Sequence, residues 1–301
     1  MGLFHKLASS SMPLIPTAVM RRVASRYIAG ETLDDALSRV QALAELGYSG
    51  ILDLLGEHVG SEDEARAAAA SYIEAGRAAA ERGLDVYLSI KPTHLGLLVS
   101  ATLAEQLYAE VAEAASALGQ FVRVEMEDHT TTDATLELFE TLRARFENVG
   151  LVLQARLRRT PDDIERLAAG PLDVRVVKGV YIEPEGIAHT DAEAIRAAFV
   201  ACCERLFARG ARVGLATHDE AVCERLLAMI QQRRVVPRRD YEFQVLLGVR
   251  EDLHARLLGA GHPVRVYVPW GPNWRAYSQR RLQENPELMR GVMRQTLGMK
   301  G

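Results

Sequence analysis

The stretch GILDLLGEHVGSEDEARAAAASYIEAGRAAAERGLDVYLSI, residues 50–90, decides the fold. Each end is a short apolar run, GILDLL (50–55) and DVYLSI (85–90), of the length a buried strand needs. Between them lies a long Ala- and Glu-rich run that stops at Gly83, where a left-handed residue can close a helix. The reading is strand, helix, strand. The same alternation continues through FVRVEM (121–126), GLVLQA (150–155), DVRVVKGV (173–180), RVGLAT (212–217), YEFQVLLG (241–248) and VRVYVP (264–269). Strands separated by helices form a parallel sheet. Eight such units are the number that closes a (βα)8 barrel of the TIM type.

No Pro/Gly/Ser linker and no shift in composition divides the chain. Residues 1–301 therefore read as one barrel domain, with 1–30 as an N-terminal segment and TLDDALSRVQALAELG as an extra helix before the first strand. A doubly wound open sheet is the competing architecture. It lacks support, because GAGHPV, the near match to a dinucleotide-binding turn, precedes a strand instead of following one.

At 48% hydrophobic and 25% charged residues, the composition is that of an ordinary globular protein and excludes general disorder. A net charge of −4 gives no reason to expect nucleic acid as a partner. No apolar run approaches the roughly 18 residues of a membrane helix. The first 30 residues carry Lys6, Arg21, Arg22 and Arg26 and no acid before Glu31, which fits either a basic N-terminus or a transit peptide. Lys6 stands where the myristoylation pattern requires Ser or Thr. Cys202, Cys203 and Cys223 make an odd count with no secretion signal, so they read as reduced, buried thiols of a cytoplasmic compartment.

Chemistry in such barrels sits at the C-terminal ends of the strands. Those ends carry Glu57, Lys91, Glu125, Glu127, Asp128, Gln154, Arg156, Arg175, Lys178, Tyr181, Thr217, His218 and Asp219, with Gln244 inside strand seven and Tyr267 on strand eight. The final helical run, WRAYSQRRLQENP (274–286), puts Tyr277, Arg280, Arg281 and Glu284 on one face, where a packed helix normally carries aliphatic residues. That face suits a helix lying over the barrel mouth. The bland alternative is a solvated face with an Arg280–Glu284 pair.

Two chemistries compete on residue types alone. A metal-dependent hydrolase would draw ligands from His94, His129, His218, Asp219 and Glu125, although no H-x-H or H-E-x-x-H pair is present. An enzyme acting on an anionic small molecule would use Arg280, Arg281 and Lys91 to hold a carboxylate or phosphate.

VRVVKGVYIEPE, ATHDE, EFQVLLGV and VRVYVPWGPNWRAYSQRRLQENP closely resemble motifs of the proline dehydrogenase family, above all its short monofunctional bacterial members. LDLLGEHV, SIKPTHLGL and VEMED fit the same pattern, in family order, from about residue 30 onward. The resemblance implies a barrel holding FAD that oxidises L-proline to 1-pyrroline-5-carboxylate by hydride transfer from C5 to flavin N5. Electrons would pass to a membrane quinone, from a cytoplasmic protein or one in peripheral contact with the inner face of the cell membrane. A related cyclic amino acid such as hydroxyproline is the alternative substrate, and no metal is implied. Carried over by position, Lys91, Arg280 and Arg281 would hold the substrate carboxylate, with Glu57 paired to Lys91. Tyr181, Tyr267 and Tyr277 would wall the ring, and Glu284 belongs to the same helix motif. Arg175 would stand near N5. Met126, Gln154, Lys178, Gly179, Val180, Thr217 and His218 would line FAD. The resemblance breaks at Glu125, where the family carries an aspartate; its longer side chain would still reach the final-helix arginines, with Asp128 as a weaker substitute.

Overall fold

The computed structural model describes residues 24–275 together with Arg21 and Ser278. Helix α1 (Leu33–Glu45) comes first, closed at its start by a reciprocal capping box between Thr32 and Asp35. Then follow β1 (Ser49–Leu54), α2 (Glu62–Glu81), β2 (Val86–Ile90), α3 (Ala101–Ala117), β3 (Val122–Val124), α4 (Thr132–Arg143), β4 (Val149–Gln154), α5 (Thr160–Arg166), β5 (Asp173–Val177), α6 (Ala192–Ala208), β6 (Arg212–Ala216), α7 (Glu220–Arg233), β7 (Tyr241–Leu246), α8 (Glu251–Gly259) and β8 (Val264–Trp270). The eight strands close in sequence order, and β8 returns to pair in parallel with β1.

The quoted stretch shows how each unit is held. Ser61 caps α2 by accepting from the Glu64 amide at 3.3 Å, and Glu62, Asp63 and Glu64 lie where the helix dipole favours acids. The buried face of α2 is nearly all small, with Ala65, Ala68, Ala69, Ala75, Gly76 and Ala79, so the helix backbone sits close on the sheet. Its one large buried residue, Tyr72, donates its hydroxyl to the Leu54 carbonyl at 3.2 Å. Helix α3 repeats the device, with Tyr108 bonded to the Ile90 carbonyl at 2.7 Å. Each tyrosine fixes the end of a strand from which site residues project.

The expected strands all form, with shifted ends. The third is three residues long because the chain leaves the ladder after Val124. The fifth stops at Val177, since Gly179 adopts φ +99°, a conformation incompatible with a continuing strand. Trp274, Arg275 and Ser278 are helical. The stripe of Tyr277, Arg280, Arg281 and Glu284, and with it the placement of the final helix over the mouth, lies outside the described residues. Among the described residues, no helix is long and apolar enough to cross a membrane. The three cysteines are unbridged and buried, and burial raises the Cys202 and Cys223 thiols to about 11.

Candidate active site

Two ion pairs dominate the inside of the mouth. Asp53, near the end of β1, is 1% exposed and has the Lys91 ammonium at 3.9 Å. Burial drives the Asp53 carboxyl up to about 6, against the pull of Lys91. For Lys91, burial disfavours the charge, but Asp53, Glu57, Glu125 and Glu127 outweigh it and raise its pKa. Lys91 is therefore a retained cation at the rim. The sequence reading gave this lysine Glu57 as its partner. The structure gives Asp53 the larger share, with Glu57 adding a weaker Coulombic pull.

The second pair joins Glu125 to Arg175. Arg175 is 3% exposed and projects inward from β5. Its Nη1 pairs with Glu125, while Nη2 donates to Ser89 at 3.2 Å and to Tyr87 at 3.3 Å. Its Nε donates to Gln244 Oε1 at 2.5 Å. The Tyr267 ring lies 5.4 Å from the guanidinium carbon. Ser89 also donates to Glu125. Burial opposes the charge on Glu125, yet Arg175, Ser89 and Lys91 together hold its carboxyl below the ordinary range. Among the described residues the partner of Glu125 is Arg175, and the expected reach to Arg280 and Arg281 lies outside the described residues.

From β3 to β6 the rim carries a contiguous arc of groups. Met126 is buried. Gln154 donates to the Glu127 carbonyl at 2.6 Å, while its Oε1 is buried without a hydrogen-bond partner among the described residues. A methyl group on Gly179 would stand 2.7 Å from both Gln154 Oε1 and Arg156 Cδ, so this position needs glycine for space as well as for φ. Lys178 donates to Asp219 at 2.5 Å. Thr217 Oγ1 accepts from the Asp219 amide at 3.1 Å, and His218 Nε2 accepts from the Leu246 amide at 2.8 Å. Val180 is exposed, and the Tyr181 carbonyl accepts from Arg156 at 2.8 Å.

A family model described as proline dehydrogenase matches residues 36–294. The chain belongs to the proline dehydrogenase family. It is 35% identical over 276 residues to a proline dehydrogenase of Deinococcus radiodurans, covering 89% of this chain and 87% of that one. Proline dehydrogenase 1 of Bacillus subtilis subsp. natto is 32% identical over 275 residues, covering 90% of this chain and 91% of that protein. In the crystal structure of proline utilization A from Bdellovibrio bacteriovorus, a similar barrel superposes with a TM-score of 0.81 over 90% of this chain and 34% of that one. At 24% identity that likeness speaks for the fold alone.

For a proline dehydrogenase, the mouth holds three residues that pattern reading passed over: Asp53, Ser89 and Tyr87. A signal existed for Asp53, the one acid inside the fully buried strand SGILDL. The hydrolase alternative required His94, His129, His218, Asp219 and Glu125 to converge. They are dispersed, His129 on Glu183, Asp219 on Lys178 and Arg196, and Glu125 on Arg175. Among the described residues a different set, Glu57, His58 and Glu127, comes within reach of one ion, and Glu127 is already engaged by Thr93 at 2.7 and 2.9 Å.

The raised Asp53 carboxyl carries a pH prediction. Between its ordinary value of 3.8 and about 6, the folded chain holds a proton that the unfolded chain has lost. Stability from this group is therefore full below the lower value and is lost as pH rises through the upper one. Asp53→Asn lacks that slope. The melting temperature of the variant relative to the parent should climb from pH 4 to pH 7, as read by thermal melts across that range. A constant difference would place the Asp53 titration elsewhere.

Proposed function

We propose that residues 1–301 act as one catalytic domain that oxidises L-proline to 1-pyrroline-5-carboxylate, with FAD as resident cofactor and a membrane quinone as electron acceptor. The family match across residues 36–294 carries this reading. The residues present fit a flavin. Gln154 Oε1 is a buried acceptor with no donor among the described residues, Gly179 lets the chain after β5 pass close against Gln154 and Arg156, and Arg175 and Lys178 stand on the same strand and its extension. Met126, Gln154, Arg175, Lys178, Gly179, Val180, Thr217 and His218 would hold it. FAD, when bound, supplies the acceptor for the hydride leaving proline C5.

The chain's own groups then have separable tasks. Lys91, Arg280 and Arg281 bind the carboxylate, and Asp53 with Glu57 keeps Lys91 in place. Tyr181, Tyr267 and Tyr277 bound the ring, and Glu284 orients the final-helix cations. Hydride release from C5 requires the adjacent amine to be neutral, so proline reacts in its deprotonated-amine form. Arg175 faces the region where negative charge develops, and Glu125 holds that guanidinium. Contact with the quinone makes a peripheral position at the membrane part of this reading.

The deciding experiment is simple. The purified protein should be yellow, with a flavin spectrum that bleaches on anaerobic addition of L-proline. A colourless, active preparation holding stoichiometric zinc would sink the proposal.

The carboxylate assignment has its own test. Arg280→Met and Arg281→Met keep most of the stem and remove the fork. A hydrogen bond to a charged group contributes about 1.5–3 kcal/mol, or roughly 10- to 150-fold in affinity. Each variant should raise the proline KM by that order and weaken tetrahydro-2-furoic acid in parallel. Prolinol, which lacks the carboxylate, should bind the parent poorly and the variants no worse. Parent-like constants for proline and the inhibitor would return this helix face to solvent.

A further inference from the structure

Beneath Arg175 the barrel interior is polar, which is unusual for a packed barrel core. Glu242 is 3% exposed and accepts from Arg265 Nε at 2.9 Å and from Arg212 Nη2 at 2.8 Å. Gln244, two residues on and 2% exposed, stands between this layer and the site. Its Nε2 donates to Glu242 Oε1 at 2.8 Å, and its Oε1 accepts from Arg175 Nε at 2.5 Å. A carboxylate on one side and a guanidinium on the other leave the amide one orientation. A flip would turn NH2 toward the cation and the carbonyl toward the anion. Space for the amide comes from Gly214 on β6, where a methyl group would stand 2.7 Å from Gln244 Nε2.

We propose that Gln244 is a positioning residue for Arg175, fixing the rotation of its guanidinium through Nε while leaving its charge uncompensated on that side. The inference rests on the reading of Arg175 as the partner of charge developing on a flavin. Among the described residues Glu125 is the one carboxylate paired with Arg175. A neutral acceptor on Nε therefore does what a second acid could not: it aims the fork without neutralising it. The fork is then held at its Nε edge by Gln244 and at its outer edges by Glu125, Ser89 and Tyr87.

Two substitutions separate aim from charge. Gln244→Met keeps the length and removes both hydrogen bonds. The rate of anaerobic flavin bleaching at saturating L-proline should fall ~10- to 100-fold, the effect of a small misplacement in a packed site. The proline KM should stay within about threefold, since ground-state binding is untouched. Gln244→Glu keeps an acceptor for Nε but adds charge, so the flavin midpoint potential should move to a more negative value and the bleaching rate should fall with it. On an Arg175→Met background, Gln244→Met should have little further effect on the rate, because the residue acts through Arg175. The proposal is overturned if both variants keep the parent's rate and potential. An equal loss on the two backgrounds overturns it too, as does loss of the melting transition in both variants, which would assign Gln244 to the scaffold. A parent that proline does not bleach overturns the functional reading itself, and this inference with it.

Discussion

Arg175→Met should slow flavin bleaching at saturating L-proline by ~10²–10³-fold, the usual consequence of removing one fixed donor from developing negative charge. Rapid-mixing absorbance under anaerobic conditions reads this rate directly. The geometry explains why the loss should fall on the rate and much less on KM. Arg175 is inside the barrel, bonded to Gln244, Glu125, Ser89 and Tyr87, whereas the groups assigned to the proline carboxylate are Lys91 and two arginines of another element. An interaction made mainly in the transition state lowers kcat and kcat/KM together. The substitution also leaves Glu125 without the cation that chiefly offsets its burial, so its carboxyl should move up. An unchanged limiting rate would remove Arg175 from the reaction and leave it a structural ion pair.

The barrel was legible because its strands are buried on both faces. SGILDL and VGLVLQ are buried along their whole length, so their period is lost but their continuous apolar character stands out between Ala-rich helices. The strand ends were less legible where a polar residue could serve either ladder or loop. Glu125, Met126 and Lys178 look like strand by composition yet lie past Val124 and Val177, at the mouth. The pairings were least legible. Arg175 meets Gln244 across 69 residues and Glu125 across 50, and Arg265 reaches the Gly50 carbonyl across 215. Such contacts exist once β8 has closed on β1, and no local pattern encodes them. The resemblance supplied Arg175 and Lys91 as residues, but it did not supply Asp53 as the buried anion beside Lys91. Burial itself creates the role of Asp53, since the same aspartate in an exposed strand would be an ordinary surface acid. The stripe on 277–284 was plain in the sequence and lies outside the described residues, so its test is the carboxylate-binding experiment on Arg280 and Arg281.

Asp173→Asn should lower stability by about 3–5 kcal/mol, the loss seen when one partner of a buried ion pair is removed. Arg123 is 0% exposed, with Nη2 on Asp173 Oδ1 at 2.6 Å. Its Nη1 adds the Asp173 carbonyl at 2.9 Å and the Leu151 carbonyl at 3.2 Å, while Nε has no acceptor among the described residues. Asp173 also binds Arg212 at 2.8 Å. With asparagine there, a wholly buried guanidinium keeps carbonyl dipoles and the faces of Phe121 and Tyr87, at 4.9 and 5.4 Å, but loses its carboxylate. For a chain of this size the melting temperature should drop on the order of 10 °C. The pH dependence has the opposite sign to that of Asp53. Burial opposes the charge on Asp173, but Arg123 and Arg212 hold its carboxyl below 3.8. Its contribution is therefore present above that value and is lost as pH falls through the lower, folded-state one. The parent should lose stability in strong acid more steeply than the variant does. The decisive control is the pair Arg123→Met with Asp173→Asn, which removes the cation together with its anion. If the penalty comes from a stranded charge, the double variant should melt well above Asp173→Asn alone. If it melts lower still, the arginine stabilises the barrel through its carbonyl and ring contacts, and the ion pair is secondary to the packing around it.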